Sequence, residues 1–119
     1  MLITLLSVLL LVQSVQENEV HEWLTPLEHD FGKLKQGIPE RTIYRFKNNS
    51  EFPVFIDNVR TTCGCTAPDW SPDAVAPDSI GTITIEYDAK KEGYFRKRIL
   101  VFFNHQRNPD KLYIEGEVK

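Results

Sequence analysis

Hydrophobic and polar residues alternate along short segments in the second half of the chain. Residues 82–88 place Ile83, Ile85 and Tyr87 on one side and polar side chains on the other. A period of two is typical of a β-strand with one buried face. Residues 112–119 alternate in the same way, so they predict a last strand with one charged face.

Between these two segments, residues 95–103 predict a central strand. Its second half is apolar on both sides, because Leu100 and Phe102 alternate with Ile99, Val101 and Phe103. A strand with neighbours on both edges and two covered faces has this composition. Residues 104–110 then predict a hairpin loop that leads into the last strand.

Three more strands are predicted upstream, over residues 27–34, 42–47 and 54–59. The polar run at residues 48–51 is typical of a hairpin connection. Proline and glycine recur between the strands and leave little room for helices. The pattern predicts an all-β, antiparallel β-sandwich of about seven strands. The Pro-rich segment around Trp70 is expected in a loop covering residues 61–72.

The N-terminal residues 1–16 contain no charged side chain. Their apolar core is shorter than the ~20 residues that a membrane span needs, and residues 12–14 resemble a cleavage site. We therefore expect a signal peptide over residues 1–16, a linker over 17–26 and one domain over 27–119. The mature protein is expected in the periplasm or outside the cell, without a membrane span.

The charge balance is acidic, with a formal net charge of −3 at pH 7. Proteins that bind a phosphate backbone usually carry a clustered basic excess. A nucleic-acid partner is therefore not expected. Residues 90–98 hold several lysines and arginines, which are expected to form a solvated hairpin, with contacts to anionic partners as the alternative.

Both cysteines of the chain lie one residue apart, as Cys63 and Cys65. Bridging so short a loop stabilises a fold by roughly 1.6 kcal/mol at most in the chain-entropy treatment. Gly64 is expected to permit the bend, since it lacks a Cβ. The pair fits a local disulfide after export, a reactive dithiol, or half of a copper or zinc site that His105 or the cysteines of a second copy would complete.

Several motifs together resemble the bacterial family called domain of unknown function 1573. They are residues 29–32 (HDFG), 44–48 (YRFKN), 59–68 (VRTTCGCTAP), 76–79 (APDS) and 114–118 (IEGEV). The resemblance implies an exported, immunoglobulin-like β-sandwich of the kind grouped with Hydin-type and major-sperm-protein-type modules. It implies no established catalytic activity and no cofactor.

From these observations we expect an exported, non-enzymatic binding or structural module whose partner is a protein or glycan at the cell envelope. An edge strand could also pair with a strand of that partner. The alternative is a thiol site at the two cysteines, for a soft metal or for redox exchange. The candidate contact residues are Arg60, Thr62, Cys63, Gly64, Cys65 and Trp70.

Overall fold

The computed structural model describes residues 19–119, so the expected signal peptide lies outside the described part of the chain. Eight strands follow one another: β1 (His21–Trp23), β2 (Glu28–Leu34), β3 (Glu40–Asn48), β4 (Ile56–Thr61), β5 (Thr66–Trp70), β6 (Ile80–Tyr87), β7 (Gly93–Phe103) and β8 (Asp110–Val118). Over these residues there is no helix, and hence none long and apolar enough to cross a membrane.

The strands form two four-stranded sheets that face each other. The first sheet has the order β1-β3-β6-β5, and the second sheet has the order β2-β8-β7-β4. The predicted all-β sandwich is confirmed. The central position of β7 is also confirmed, because it pairs with β8 on one side and with β4 on the other.

Two of the eight strands were not predicted. Residues 21–23, expected in a linker, form β1 and pair with β3, so the linker prediction is wrong there. Residues 66–70, expected in a loop, form β5 and pair with β6. Each segment is short, and β5 contains a proline. Period-two alternation is therefore too brief to identify them, and their pairing with longer neighbours decides their structure.

The sheet edge formed by β2 differs from the antiparallel expectation. β2 runs parallel to β8, with Glu28 opposite Tyr113 and Leu34 opposite Val118. The chain leaves β1 in the first sheet and crosses to the second sheet within residues 24–27. This crossing, rather than a hairpin, places β2 beside the C-terminal strand.

The connection after β3 is also not the predicted hairpin, since β3 and β4 belong to different sheets. Asn48 explains why the chain leaves the sheet here. Its buried side chain donates to the carbonyl oxygens of Phe52 and Val75 at 2.8 and 2.9 Å, and it accepts from the Ser50 N–H at 2.9 Å. These bonds satisfy a buried amide and hold the crossover in place.

The core lies between the sheets and is built from the inward positions of the long strands. Ile83, Ile85 and Tyr87 are all buried, as the alternation of β6 predicted. The Tyr87 and Phe95 rings stack across the two sheets with centroids 3.8 Å apart. This packing across the core fixes the end of β6 at Tyr87, and Tyr87 lies opposite Thr66, where β5 begins after the candidate site.

Candidate functional site at the cysteine turn

The cysteine turn, residues 62–65, connects β4 to β5. β4 is an edge strand of the second sheet, and β5 is an edge strand of the first sheet. The turn therefore crosses the open side of the sandwich from one sheet to the other. This position leaves its outer surface free of neighbouring strands among the described residues.

The two sulfur atoms lie next to each other in the arrangement of a disulfide, with the Cα atoms of Cys63 and Cys65 5.3 Å apart. This Cα separation falls within the range that a bridge requires. The main chain follows the same bend, since the Cys65 N–H donates to Cys63 Sγ at 3.3 Å. The sequence prediction that the pair forms a local structure is consistent with this geometry.

Two threonines close the base of the turn, and the sequence reasoning did not identify them in this role. Thr61 Oγ1 lies 3.2 Å from the Cys63 carbonyl oxygen and 3.3 Å from the Thr66 carbonyl oxygen. The Thr66 hydroxyl lies 3.8 and 3.9 Å from the two sulfurs and is buried. The residues flanking the pair therefore link its two arms.

The main chain of the turn is also anchored to the first sheet. The Asp88 N–H donates to the Cys65 carbonyl oxygen at 3.0 Å, and the Thr66 N–H donates to the Cys63 carbonyl oxygen at 3.4 Å. Cys65 packs against the apolar core. These contacts hold the turn from beneath, while Thr62 and Gly64 are exposed to solvent.

The role expected for Gly64 is not supported. The glycines with positive φ are Gly32, Gly37 and Gly93, and Gly64 is not among them. A Cβ added at Gly64 would meet no atom within 4 Å. Since neither backbone strain nor crowding requires glycine here, an alanine would fit the same turn.

Arg60 and Trp70 lie on different surfaces. The guanidinium carbon of Arg60 is 5.2 Å from the centre of the Phe102 ring, on the outer face of the second sheet. Among the described residues, no hydrogen bond joins Arg60 to either cysteine. Trp70 ends β5 rather than lying in a loop, and it is half-buried against the core. Trp70 therefore closes the side of the sandwich, and Arg60 is the more available contact residue.

The edges beside the turn are poorly suited to strand addition. The Cys65 carbonyl oxygen accepts from the Asp88 N–H, directly after β6, so it points toward that strand. Main-chain groups alternate in direction along a strand, so those of Pro68 point to the outer side of β5. Proline has no N–H to offer a partner strand. On β4 the Val59 N–H is already bonded to Asn58 Oδ1 at 2.9 Å. Both features protect an exposed edge.

The structure does not bring His105 to the cysteines. His105 Nε2 is 2.9 Å from His21 Nδ1, and His21 pairs with Asn48 at one end of β3. The turn leads into Thr66, at the level of Glu40 at the other end of β3. These ends are roughly 26 Å apart. Within residues 19–119 no cluster of three or more potential ligands fits a metal ion.

A second polar cluster, the histidine cluster, occupies the opposite end of the sandwich and was missed in the sequence. His21 Nε2 and Trp23 Nε1 lie 2.6 and 2.8 Å from the same Asp110 oxygen, and Gln106 Nε2 donates to the other oxygen at 2.8 Å. His21 is buried and stacks on Phe103 with centroids 4.0 Å apart. The cluster borders an open groove of about 840 Å³.

Electrostatics in the histidine cluster follow from its burial. Desolvation opposes ionisation of Asp110, but the hydrogen bonds from His21, Trp23 and Gln106 outweigh it and lower the pKa of Asp110 to about 2. Burial and then the neighbouring His21 lower the pKa of His105 below its usual value of 6.5. The three donors occupy the carboxylate, so Asp110 acts as a structural acceptor.

The fold and the turn of residues 19–119 together define an immunoglobulin-like domain with a braced loop on its open side. The chain belongs to the family described as protein of unknown function (DUF1573), whose model matches residues 24–118. The resemblance drawn from the sequence motifs is thereby confirmed. No curated protein matches at a significant level.

Solved structures show the same fold at low sequence identity. A protein of unknown function from Porphyromonas gingivalis W83 is 17% identical, with a TM-score of 0.70, and the match covers 82% of this chain and 46% of that protein. The ASH/PapD-like domain 7 of human CEP192 is 9% identical, with a TM-score of 0.72 over 91% and 95% of the two chains.

A secreted serine protease of Vibrio cholerae, VesC, is 12% identical, with a TM-score of 0.57. The match covers 75% of this chain but only 21% of the protease. At these identities the likenesses show the fold alone, so none of them transfers an activity to this chain.

Proposed function

We propose that the chain is an exported, non-enzymatic binding or structural module that meets a protein or glycan of the cell envelope through the cysteine turn. The observation that carries the proposal is the position of this turn across the open side of the sandwich. Hydrogen bonds from both sheets brace it from beneath, and it presents Thr62 and Gly64 outward. A rigid loop on a β-scaffold is a frequent arrangement for recognition.

The side chains around the turn support binding better than catalysis. Thr61 and Thr66 are engaged with the turn itself, and the half-buried Trp70 packs on the core. Among the described residues, Asp110 and His21 form an aspartate–histidine pair at the other end of the domain. The Asp110 carboxylate already accepts hydrogen bonds from three donors. Nucleophilic catalysis needs a base that lies beside the nucleophile and is free to take its proton, and this carboxylate is already occupied.

A steric block at the turn tests this proposal. Gly64→Trp adds bulk where a Cβ meets nothing, so the domain is expected to fold normally. Glu51→Trp adds the same bulk to an exposed position in the β3–β4 connection and serves as the matched control. Immobilised protein is incubated with an envelope extract, and retained proteins and glycans are identified.

The proposal expects a partner that wild type and Glu51→Trp retain and that Gly64→Trp loses. Equal retention by all three proteins would remove the turn from the contact surface. Thermal unfolding of each variant checks that the block changes binding and not folding.

The alternative function is a thiol site that exchanges electrons with a partner dithiol. It is favoured by one observation, that the two sulfurs lie together on a surface turn and are only half-buried. Short bridges between nearby cysteines are reduced more readily than framework disulfides. Redox titration with alkylation and mass measurement tests it, because a potential near that of a catalytic dithiol would favour exchange over bracing.

A further inference from the structure

The outer face of the second sheet carries three exposed cations in two neighbouring rows, on the side of the sheet where the cysteine turn begins. Arg60 lies opposite Leu100, and Leu100 lies opposite Lys111, so one row crosses β4, β7 and β8. Arg98, two residues before Leu100, lies opposite Tyr113 in the next row. We call Arg60, Arg98, Lys111 and the Leu100 between them the cationic face.

The three cations have no acidic partner among the ion pairs of residues 19–119. Arg96, further along the same strand, shows the contrast: it pairs with Glu28 at 2.7 Å and with Glu115 at 3.6 Å. Arg60, Arg98 and Lys111 form no such pair and are exposed. The whole chain carries a net charge of −3, whereas these three neighbouring unpaired cations create a local positive potential.

An apolar floor separates these charges. Leu100 is half-buried at the centre of the row, and Phe102 is half-buried under the Arg60 guanidinium. Arginine and aromatic side chains are enriched at protein interfaces, whereas small ligands usually occupy concave sites. A nearly flat sheet face with charges around an apolar centre therefore fits a protein better than a small molecule.

The cationic face is continuous with the cysteine turn. Thr61 lies opposite Ile99 at the end of β4, so the turn begins one residue later, beside the row of Arg98. A partner held at the exposed Thr62 would extend directly over these cations. The inference below rests on the proposed function, because it names the chemistry of the partner at that site.

We propose that the cationic face binds an acidic protein segment in which carboxylates flank an apolar residue. The Cα atoms of Arg60 and Lys111 are roughly 10 Å apart, across two strand spacings. In an extended segment, glutamates at positions i and i+4 lie roughly 13 Å apart on one side, with position i+2 between them. The flexible cations reach both carboxylates while the central apolar side chain covers Leu100.

The probe is a fluorescein-labelled extended peptide with two glutamates at i and i+4 and a leucine at i+2. Its dissociation constant is measured by fluorescence anisotropy at low and at physiological salt. Arg98→Glu combined with Lys111→Glu is expected to weaken binding at least about tenfold, since attraction becomes repulsion. Arg98→Gln with Lys111→Gln gives a smaller loss and serves if the reversal impairs folding.

Lys90→Glu combined with Lys91→Glu is the matched control. It changes the net charge equally in the exposed turn between β6 and β7, away from the cationic face. The proposal expects this variant to bind as wild type does. Equal weakening by both double variants would attribute binding to net charge and overturn the proposed surface.

Two further measurements test the class of partner. Leu100→Ser is expected to weaken the leucine peptide but not a peptide with serine at i+2. Alginate, a polyuronate, is the competing probe. Tight binding of alginate, together with no effect of Leu100→Ser, would overturn the protein-segment assignment.

Failure of this inference is distinguishable from failure of the proposed function. An envelope partner that is lost with Gly64→Trp but retained by the Arg98→Glu, Lys111→Glu variant would leave the module intact and refute its acidic partner. Conversely, the charge variants could lose peptide binding while no envelope partner depends on position 64. That result would support the cationic face and refute the cysteine turn as the contact surface.

Discussion

Two regions near opposite ends of this sandwich are held together by different chemistry. At one end the cysteine turn joins residues that are neighbours in sequence, and at the other the histidine cluster joins His21 and Asp110 across 89 positions. The turn is local and sits on the surface. The histidine cluster ties β1 to the beginning of β8 and buries an imidazole. We infer that the histidine cluster stabilises the fold, whereas the turn is available for contact.

The largest expected effect comes from removing the shared acceptor of the histidine cluster. Asp110→Ala leaves the His21 and Trp23 N–H groups without their carboxylate, in a partly buried setting. The loss of unfolding free energy should be about 3 kcal/mol. Urea denaturation measures it, with Asp73→Ala, an exposed aspartate, as the control. A loss below that of the cysteine double variant would contradict the comparison.

Acid should weaken the same end of the domain in two steps. The pKa of Asp110 is depressed to about 2, so its contribution is present above its unfolded pKa near 4 and is lost as pH falls toward 2. The pKa of His105 is also lowered, so the unfolded state binds more protons below about 6.5 and stability falls there too. The Asp110 step should amount to about 2 kcal/mol.

Denaturation midpoints from pH 7 to pH 2 check this acid dependence. Asp110→Asn should flatten the profile below pH 4, whereas the cysteine double variant should retain the wild-type shape. The comparison between the two ends is refuted by a cysteine variant that removes the acid step.

Removing the sulfur pair should have a smaller effect. In the chain-entropy treatment, Cys63→Ser with Cys65→Ser costs roughly 1.6 kcal/mol at most, because the loop is so short. The hydrogen bonds from Asp88 and Thr66 to the turn carbonyls remain. Chemical denaturation with and without a reductant measures the cost, and wild type plus reductant should match the double variant.

The smallest effect is expected for Gly64→Ala, within about 0.5 kcal/mol, as for a surface change. Gly116 serves as the comparison, because the opposite result is expected for an alanine at that position. A Cβ at the buried Gly116 would lie 2.9 Å from the Gly32 carbonyl oxygen, so Gly116→Ala should be clearly destabilising. Thermal unfolding of both variants compares them. Equal losses would mean that the turn requires glycine after all.

Much of the fold follows from sequence patterns, because long strands alternate over many residues. Strands such as β6 and β7 lie where their alternation indicated. The short strands β1 and β5, the crossover at Asn48 and the parallel pairing of β2 depend on contacts between distant segments. Local pattern carries little information about such contacts.

The candidate site was predictable only in part, for the same reason. Two cysteines one residue apart mark a local feature in the sequence, but the hydroxyls of Thr61 and Thr66 acquire their roles through the bend of the chain. The histidine cluster left no usable signal, since His105 and Asp110 lie together in one loop but His21 comes from a segment more than 80 positions earlier. Only the pairing of β1 with β3 brings His21 near them.

We infer that the cysteine turn is the surface through which this domain contacts a partner. Site-specific photo-crosslinking in the native cell examines this contact, with a photoreactive residue at position 62 and a control at position 51. A discrete crosslinked product is expected from position 62 and none from position 51. No product from position 62, or the same product from both positions, would contradict it.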